Sequence, residues 1–177
     1  MPINCEHTVP QSFFGSADPM KSDIHHLFPT YSNWNSQRGS FPFADINDNQ
    51  TTKWMRLDQS QSSVPTQNIN EYSEYCCNSF EPREDHKGNV ARAVFYFYTM
   101  YPTQAGSINQ VAPPSLLYQW HLQDPVDSIE FQRNESIFNY QGNRNPYITY
   151  PNLVAPAWGF TVPADSSFLL ISEYVEG

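Results

Sequence analysis

Ionisable and metal-ligating side chains are concentrated near one end of the chain, in residues 4–38. Glu6 and Asn35 offer oxygen ligands of the kind that a hard divalent ion such as Mg²⁺ prefers. His7 can take a proton from water near neutral pH, and Arg38 presents a planar fork of donors that fits a phosphate. A metal, a base and a guanidinium together would suit hydrolysis of a phosphodiester.

This stretch has room for two short strands and one helix to position those side chains. Residues 5–9 and 24–28 have strand composition, and turn residues lie between them. Pro29 should end the second strand, and Thr30 or Ser32 should cap a helix that carries residues 35–38. A hairpin folded onto that helix would bring His7 and Asn35 together. Glu6 and His7 are neighbours, so they can share a site only at a strand end or bulge.

Four motifs occur in order along the chain: CEHTVPQSFF, MKSDIHHLFPTYSNWNSQRG, FEPREDHKGNVARAVFYFYTMYP and NYQGNRNPY. Together they resemble the bacterial endonuclease I family, secreted or periplasmic nucleases of the His-Me finger (ββα-metal) class. The resemblance covers residues 4–150. It implies an α+β fold in which a core hairpin and helix pack with further helices and long irregular loops. It also implies metal-dependent, sequence-tolerant cleavage of DNA, often also of RNA, to 5′-phosphate and 3′-hydroxyl ends.

The resemblance also implies roles for individual residues. His7 matches the general base, while Glu6 and Asn35 match the ligands of Mg²⁺, or of Mn²⁺ or Ca²⁺. Some members carry an insertion between the two strands with an arginine that contacts the cleaved phosphate. This chain has only the short connection QSFFGSADP there. Arg38 is therefore the substitute candidate for that catalytic contact.

Three further residues are expected to support the site. Asp23 should brace the turn into the second strand. His25 and His26 point to opposite sides of a strand, so only one, assigned here as His25, should hydrogen-bond to Glu6 or His7. Arg92 lies in an apolar run, and a buried guanidinium needs a partner. It could pair with an acid such as Asp23 or contact a phosphate.

Three other cations are candidate contacts to the substrate. Arg83 and Lys87 lie near the start of the helix predicted after residue 81, although a solvated face explains them equally well. Arg144 lies in a turn-like segment that closes the fold beside the active site in the family. A loop fixed by Asn143 and Asn145 is the alternative there.

The net charge is −9, with nine Lys and Arg against eighteen Asp and Glu. This argues against tight, non-catalytic nucleic-acid binding, which depends mainly on basic contacts to phosphates. An enzyme can tolerate the charge if its few cations surround one groove and a metal adds local positive charge. The competing class is a binding module that keeps the fold without turnover. DNA, and RNA as well, is the expected partner, and no obligate protein partner is evident.

The three cysteines are Cys5, Cys76 and Cys77. A vicinal pair does not bridge readily, so a disulfide from Cys5 to either of the other two is one expectation. Three free thiols are the other.

Later segments have less distinctive patterns. Residues 47–79 read as a polar surface excursion with one brief strand at 54–57 and little part in chemistry. Residues 89–101 are apolar all round, as expected for a buried central helix. A short helix is predicted at 115–122. Another, capped by Asp124, would carry Arg133 and end at Gly142.

Three segments make up the expected domain organisation: a nuclease domain at 1–151, a linker at 152–166 and, at 167–177, the start of a lamin-tail-like β-sandwich. No run approaches the roughly 18 apolar residues of a membrane span. The beginning MPINCEH lacks a signal region, and we expect a piece of a longer secreted or periplasmic protein.

Overall fold

Two antiparallel sheets and six α-helices make up residues 2–161, the part of the chain that this computed structural model describes. The strands are β1 (Ile3–His7), β2 (Leu27–Tyr31), β3 (Lys53–Arg56), β4 (Gln59–Gln61), β5 (Ser73–Cys76) and β6 (Ser79–Glu81). The helices are α1 (Ser32–Arg38), α2 (Lys87–Met100), α3 (Pro114–Gln123), α4 (Ser128–Gln141), α5 (Pro146–Thr149) and α6 (Val154–Trp158). The predicted α+β class is confirmed.

The first sheet is the hairpin of β1 and β2, which α1 follows directly. Its register pairs Glu6 with Phe28 and His7 with Leu27. The second strand starts three residues later than predicted, because residues 24–26 form a 3₁₀ turn in which the Asp23 side chain accepts from the His25 N–H. Pro29 lies inside β2 instead of ending it, since a strand paired on one edge tolerates a missing N–H.

The second sheet, in the order β4-β3-β5-β6, forms within residues 47–81. The brief strand predicted at 54–57 is confirmed as β3, but the prediction that it stands alone in a surface excursion was wrong. Its strands are only three or four residues long and mostly polar, so the sequence has no hydrophobic alternation that would predict them. Trp54 and Met55 nevertheless anchor β3 in the interior, 0% and 2% exposed.

Helix α2 is the centre of the core, as its apolar sequence predicted. From Val90 to Tyr98 every residue is buried, and α3 packs along it. Helix α4 ends at Gly142 as predicted, with the glycine at φ +84°, a conformation that favours glycine at a helix end. Its N-cap is Asp127, whose side chain accepts from the Glu130 N–H, and not Asp124 as predicted.

The predicted linker differs from the structure in its first ten residues. Helix α6 belongs to the folded body: Trp158 packs against Phe95 at 5.0 Å between ring centroids, and Phe160 stacks on Tyr118 at 4.3 Å. These aromatic contacts extend the domain to at least residue 160. Residues 162–166 of the linker and the β-sandwich start predicted at 167–177 lie outside the described residues.

Cys76 and Cys77 form a disulfide where β5 meets its turn to β6, and Cys5 is an exposed free thiol on β1. Both cysteine expectations were therefore wrong. Cys76 is the last residue of β5, and Cys77 and Asn78, both with positive φ, form the two-residue turn to β6. Within residues 2–161, no helix has the length and apolar character that crossing a membrane requires.

Candidate active site

A cleft of about 710 Å³ runs between the hairpin-helix unit and the second sheet. Glu6, Phe28, Asn35 and Arg38 line the wall that the hairpin and α1 contribute. The facing wall includes Met55, Arg56, Leu57 and Glu71, and one end is lined by Arg83, His86 and Arg133. The excursion predicted to contribute little to chemistry thus supplies five lining residues of the cleft, namely Met55, Arg56, Leu57, Glu71 and Ser73.

Glu6 supplies the carboxylate of the predicted metal site. Its side chain is 16% exposed, and burial raises its pKa to about 7 despite the opposing effect of Arg38. The guanidinium Nη1 of Arg38 lies 2.9 Å from Glu6 Oε1, yet that oxygen is buried and accepts no aligned hydrogen bond. A buried carboxylate oxygen in this state is a ready ligand for a cation.

Arg38 supports the end of β1. It is 3% exposed, donates from Nη1 to the His7 carbonyl (3.1 Å) and from Nη2 to the Thr8 carbonyl (2.7 Å), and lies 4.5 Å above the Phe43 ring. Its terminal nitrogens support the strand end and lie beside Glu6, while Nε is buried without a hydrogen-bond partner among the described residues. The structure thus gives Arg38 a supporting role, and its predicted contact to the cleaved phosphate stays a prediction.

Asn35 faces the same wall as Glu6. Its Nδ2 donates to Asn4 Oδ1 at 2.9 Å and to the Cys5 carbonyl at 3.0 Å, which fixes the amide against β1. Its amide oxygen has no hydrogen-bond partner among the described residues, so it remains available as a neutral oxygen ligand. The structure thus places both predicted metal ligands on one wall.

His7 lies at the end of β1, where the sequence argument required a strand end. Its Nε2 is 2.9 Å from the Lys21 carbonyl oxygen, which can only accept, so Nε2 carries the hydrogen. Its Nδ1 is then unprotonated and accepts from Gln11 Nε2 at 3.3 Å. The cleft lining includes Glu6 and Asn35 but not His7, whose ring packs against His26, so the structure does not place the imidazole in the cleft with the two predicted metal ligands.

The support expected from His25 is not what the structure shows. His25 Nε2 is 3.0 Å from the Asn143 carbonyl and its ring packs on Tyr96 at 4.6 Å, remote from Glu6. His26 is the histidine that contacts His7, with ring centroids 5.4 Å apart. The two fall in a 3₁₀ turn and not in the predicted strand, which changes where each ring points.

Asp23 is buried and fully engaged. Its carboxylate accepts from the hydroxyls of Tyr96 (2.9 Å) and Tyr101 (2.8 Å) and from Gln141 Nε2 (2.8 Å). These bonds tie the connection between β1 and β2 to α2 and α4. The predicted pairing of Arg92 with Asp23 is accordingly absent.

Arg92 forms a buried bidentate pair with Glu130. Nε and Nη2 donate to the two carboxylate oxygens at 2.8 and 2.6 Å, and Nη1 donates to the Asp124 carbonyl at 2.9 Å. With 0% exposure it has no access to a nucleic acid. Of the two predicted roles, the ion pair is right with a different partner, and the phosphate contact is wrong.

The three predicted substrate cations have different environments. Lys87 is 5% exposed, and its Nζ binds Glu81 at 2.6 Å and Glu84 at 2.7 Å, so the predicted substrate contact is wrong for this residue. Arg83 lines the cleft and is half-exposed beside Asp85. Arg144 pairs with Glu135 outside the cleft lining, and its contact to substrate stays a prediction.

Sequence reasoning missed two residues near the site. Gln11, four residues after His7, contacts the ring nitrogen, and its place inside the first motif was the available signal. Arg133 lies in the cleft, although the helical period placed it on the packed face of α4. A charged residue at an apolar position of a helix was the signal there.

The fold is α+β, and its side chains suit a hydrolase. A hairpin and its following helix present a carboxylate and an amide oxygen, and an imidazole lies at the strand end. Sequence comparison gives the particular group: the chain belongs to the Endonuclease I family, whose profile matches residues 1–152.

Curated relatives carry nuclease names. The chain is 36% identical to an extracellular ribonuclease of Bacillus amyloliquefaciens. The alignment of 171 positions covers 88% of this chain and 53% of that protein. It is 34% identical over 88% of its length to an extracellular ribonuclease of Bacillus subtilis (strain 168), covering 54%. It is 32% identical over 73% of its length to an extracellular deoxyribonuclease of Aeromonas hydrophila, covering 49%. The chain thus spans about half the length of these relatives.

The residues present fit a Mg²⁺-type ion. Glu6 Oε1 is a buried acceptor without an aligned donor, and the Asn35 amide oxygen is free on the same wall. Within residues 2–161, no group of three or more His, Cys, Asp or Glu side chains could hold a metal ion. One carboxylate and one amide match a cation that keeps several waters and shares substrate phosphates, and they do not match a closed zinc site.

Proposed function

We propose that this protein is a sequence-tolerant endonuclease that hydrolyses DNA and RNA phosphodiesters to 5′-phosphate and 3′-hydroxyl ends. The observation that carries the proposal is the placement of Glu6 and Asn35 on one wall of the cleft; His7, which the Lys21 carbonyl orients, follows Glu6 in the chain. Family membership and relatives named for ribonuclease and deoxyribonuclease activity support the choice of substrate.

The catalytic roles follow from the hydrogen bonds of the site. His7 Nδ1 takes a proton from water, and the water oxygen forms a bond to phosphorus as the bond to the 3′-oxygen breaks. The leaving oxygen takes a proton from solvent. Glu6 and Asn35 would hold Mg²⁺, or Mn²⁺ or Ca²⁺, which supplies charge stabilisation for the leaving oxygen and the phosphate. Arg38 keeps Glu6 in position, and the Lys21 carbonyl fixes the His7 tautomer.

We also propose that the protein acts outside the cytoplasm, either secreted or in the periplasm. Relatives named as extracellular proteins, from bacteria of two genera, support it.

The test is cleavage of supercoiled plasmid and of a structured RNA with Mg²⁺, in parallel with EDTA and with His7→Ala. We expect nicking and linearisation by the wild type, loss of at least 100-fold in rate for His7→Ala, and 5′ ends that DNA ligase can rejoin. An intact plasmid, or equal cutting by His7→Ala, would remove the enzyme proposal.

The net charge of −9 favours one alternative, a binding module without turnover. The same assay separates the enzyme from the binding module, because a binding module would slow the migration of the plasmid in a gel without cutting it.

A further inference from the structure

Four cations line the cleft, and three of them face carboxylates. Arg38 lies 2.9 Å from Glu6, Arg56 lies 2.5 Å from Glu71, and Arg83 lies 2.8 Å from Asp85. Arg133 is the fourth, and it has no carboxylate partner among residues 2–161. If a nucleic acid occupies this cleft, as the proposed function requires, Arg133 is the lining cation that is not already paired with a carboxylate of the described residues.

The guanidinium of Arg133 is held in place without using all its donors. Its Cζ lies 4.4 Å from the centroid of the Phe28 ring, and Nη2 donates to the carbonyls of Ile24 and Leu27, each at 2.7 Å. Nε and Nη1 have no protein acceptor within the described part of the chain. A guanidinium fixed in this way loses little entropy when one of these free N–H groups donates to an oxyanion.

Its position relative to Glu6 follows from the strand register. Phe28 is directly opposite Glu6 in the hairpin, so both side chains lie on the same face, and both line the cleft. Arg133 stacks on Phe28 and forms no ion pair with Glu6, whereas Arg38 does, which points to a neighbouring phosphate and not to the phosphate under attack.

The acidic groups at this end of the cleft are already engaged. Glu130 is paired with Arg92, Asp127 accepts from the first turn of α4, and Asp124 accepts from the Gly88 N–H at 2.8 Å. His86, 4.8 Å from Phe28, has its pKa lowered to about 4 by burial and then by nearby arginines, including Arg83 and Arg133. Hydrogen bonds or an ion pair thus occupy these acidic side chains, and none of them forms an ion pair with Arg133 in the described part of the chain.

We propose that Arg133 is a phosphate-binding residue that holds the substrate strand at the phosphate flanking the scissile one. The contact uses a free N–H of Nε or Nη1, and the stack on Phe28 holds the guanidinium in place. The inference deepens the proposed nuclease function and depends on it for the identity of the ligand.

The test measures binding of a fluorescent single-stranded DNA 12-mer to the full chain in EDTA, across a range of salt concentrations. Arg133→Gln keeps a donor for the two carbonyls and removes the charge. We expect the slope of log affinity against log salt to fall by about 0.7, the value for one phosphate contact on a single strand. Lys53→Gln is the matched control, because Lys53 lies on Trp34 outside the cleft lining and should leave the slope unchanged.

Kinetics in Mg²⁺ locate the contact along the strand. A flanking phosphate predicts a KM about tenfold higher for Arg133→Gln with kcat reduced less than threefold. A reduced kcat at unchanged KM would overturn the flanking position, and an unchanged salt slope would overturn the phosphate contact. A wild type that never cuts DNA would instead defeat the proposed function, so the two failures are distinguishable.

A measurement on the wild type protects the test against misfolding of the variant. Arginine Nε–H signals in a ¹⁵N-labelled sample are assigned by comparison with Arg133→Lys, and the 12-mer is then added. The Arg133 signal should shift, while that of Arg92, which is 0% exposed and paired with Glu130, should not. Its failure to move at saturating DNA would overturn the proposal.

Discussion

Arg38 Nη1 and Glu6 Oε1 lie 2.9 Å apart, with the guanidinium almost fully buried and the carboxylate lining the cleft. The arginine is held by backbone carbonyls at the end of β1, so it positions the carboxylate without covering it. The candidate active site is therefore built on a buried charge pair whose anionic member is still open to a ligand.

The first prediction concerns this pair. Arg38→Lys should lower the free energy of unfolding by about 1–3 kcal/mol, because one ammonium cannot replace the donors to His7 and Thr8 and the stack on Phe43. The measurement is urea unfolding followed by tryptophan fluorescence. Arg144→Lys, an exposed pair with Glu135, should leave the midpoint in place. Equal midpoints for both variants and the wild type would contradict a supporting role for Arg38.

The second prediction is that metal affinity depends on pH through Glu6. Burial raises the pKa of Glu6 to about 7, so the carboxyl is protonated below that pH and a cation must displace the proton. Affinity for Mn²⁺ should rise about tenfold per pH unit up to pH 7 and level off above it. Electron paramagnetic resonance titrations between pH 5.5 and 8.5 measure this.

Glu6→Gln is the control for the metal titrations, because it keeps the size of the side chain and removes the ionisation. Its weak Mn²⁺ binding should show no rise across the same range. A pH-independent affinity in the wild type would argue against Glu6 as the ligand.

The third prediction concerns Glu74, buried in the second sheet opposite Glu81. Burial raises its pKa to about 7, with the Thr51 hydroxyl and Lys87 opposing the shift and Glu81 adding to it. The native state therefore holds a proton that the unfolded chain releases near pH 4.3. Stability from this group is full below the unfolded pKa and is lost as pH rises to about 7.

Glu74→Gln should accordingly stabilise the protein by about 1–2 kcal/mol at pH 8 and by much less at pH 5. Thermal unfolding at the two pH values measures the difference. Glu71→Gln removes the same charge from an exposed position and controls for net charge. Stabilisation of equal size at both pH values would show that titration of Glu74 is not the cause.

The fourth prediction concerns Gly88 in the first turn of α2. A Cβ at this position would overlap the Asp124 carbonyl oxygen and lie 2.7 Å from Arg92 Nη2. Gly88→Ala should therefore lower stability by about 2–4 kcal/mol despite the better helix propensity of alanine. Asn89→Ala, on the next residue, controls for the propensity change. A Gly88→Ala protein as stable as this control would refute the close approach.

The sequence predicted those parts of the fold that depend on local pattern. The apolar run of α2 and the Gly142 terminus needed only helical periodicity and a positive φ. Glu6, His7 and Asn35 were identified because their residue types and the ordered motifs carry the chemistry. The strand end at His7 followed from the alternation of side chains along a strand.

What the sequence did not reveal depends on contacts between distant residues. Lys87 looked like a surface cation because its partner Glu81 belongs to a three-residue strand that has no periodic signal. Arg92 found Glu130 and not Asp23, since the choice between acids depends on how α4 packs on α2. His26 and not His25 lies against His7, because their segment forms a 3₁₀ turn, in which the His25 N–H donates to the Asp23 carboxylate, in place of the predicted strand.

The indole N–H of Trp34 in α1 donates to the Leu57 carbonyl at the turn between β3 and β4, at 2.6 Å. This bond joins α1, in the part of the chain that carries the reactive groups, to the second sheet, which supplies the opposite wall of the cleft. Substitutions or length changes in the β3–β4 hairpin can thus reshape the entrance while Glu6, His7 and Asn35 stay as they are. Substrate preference in such a scaffold is free to diverge without any alteration to the chemistry itself.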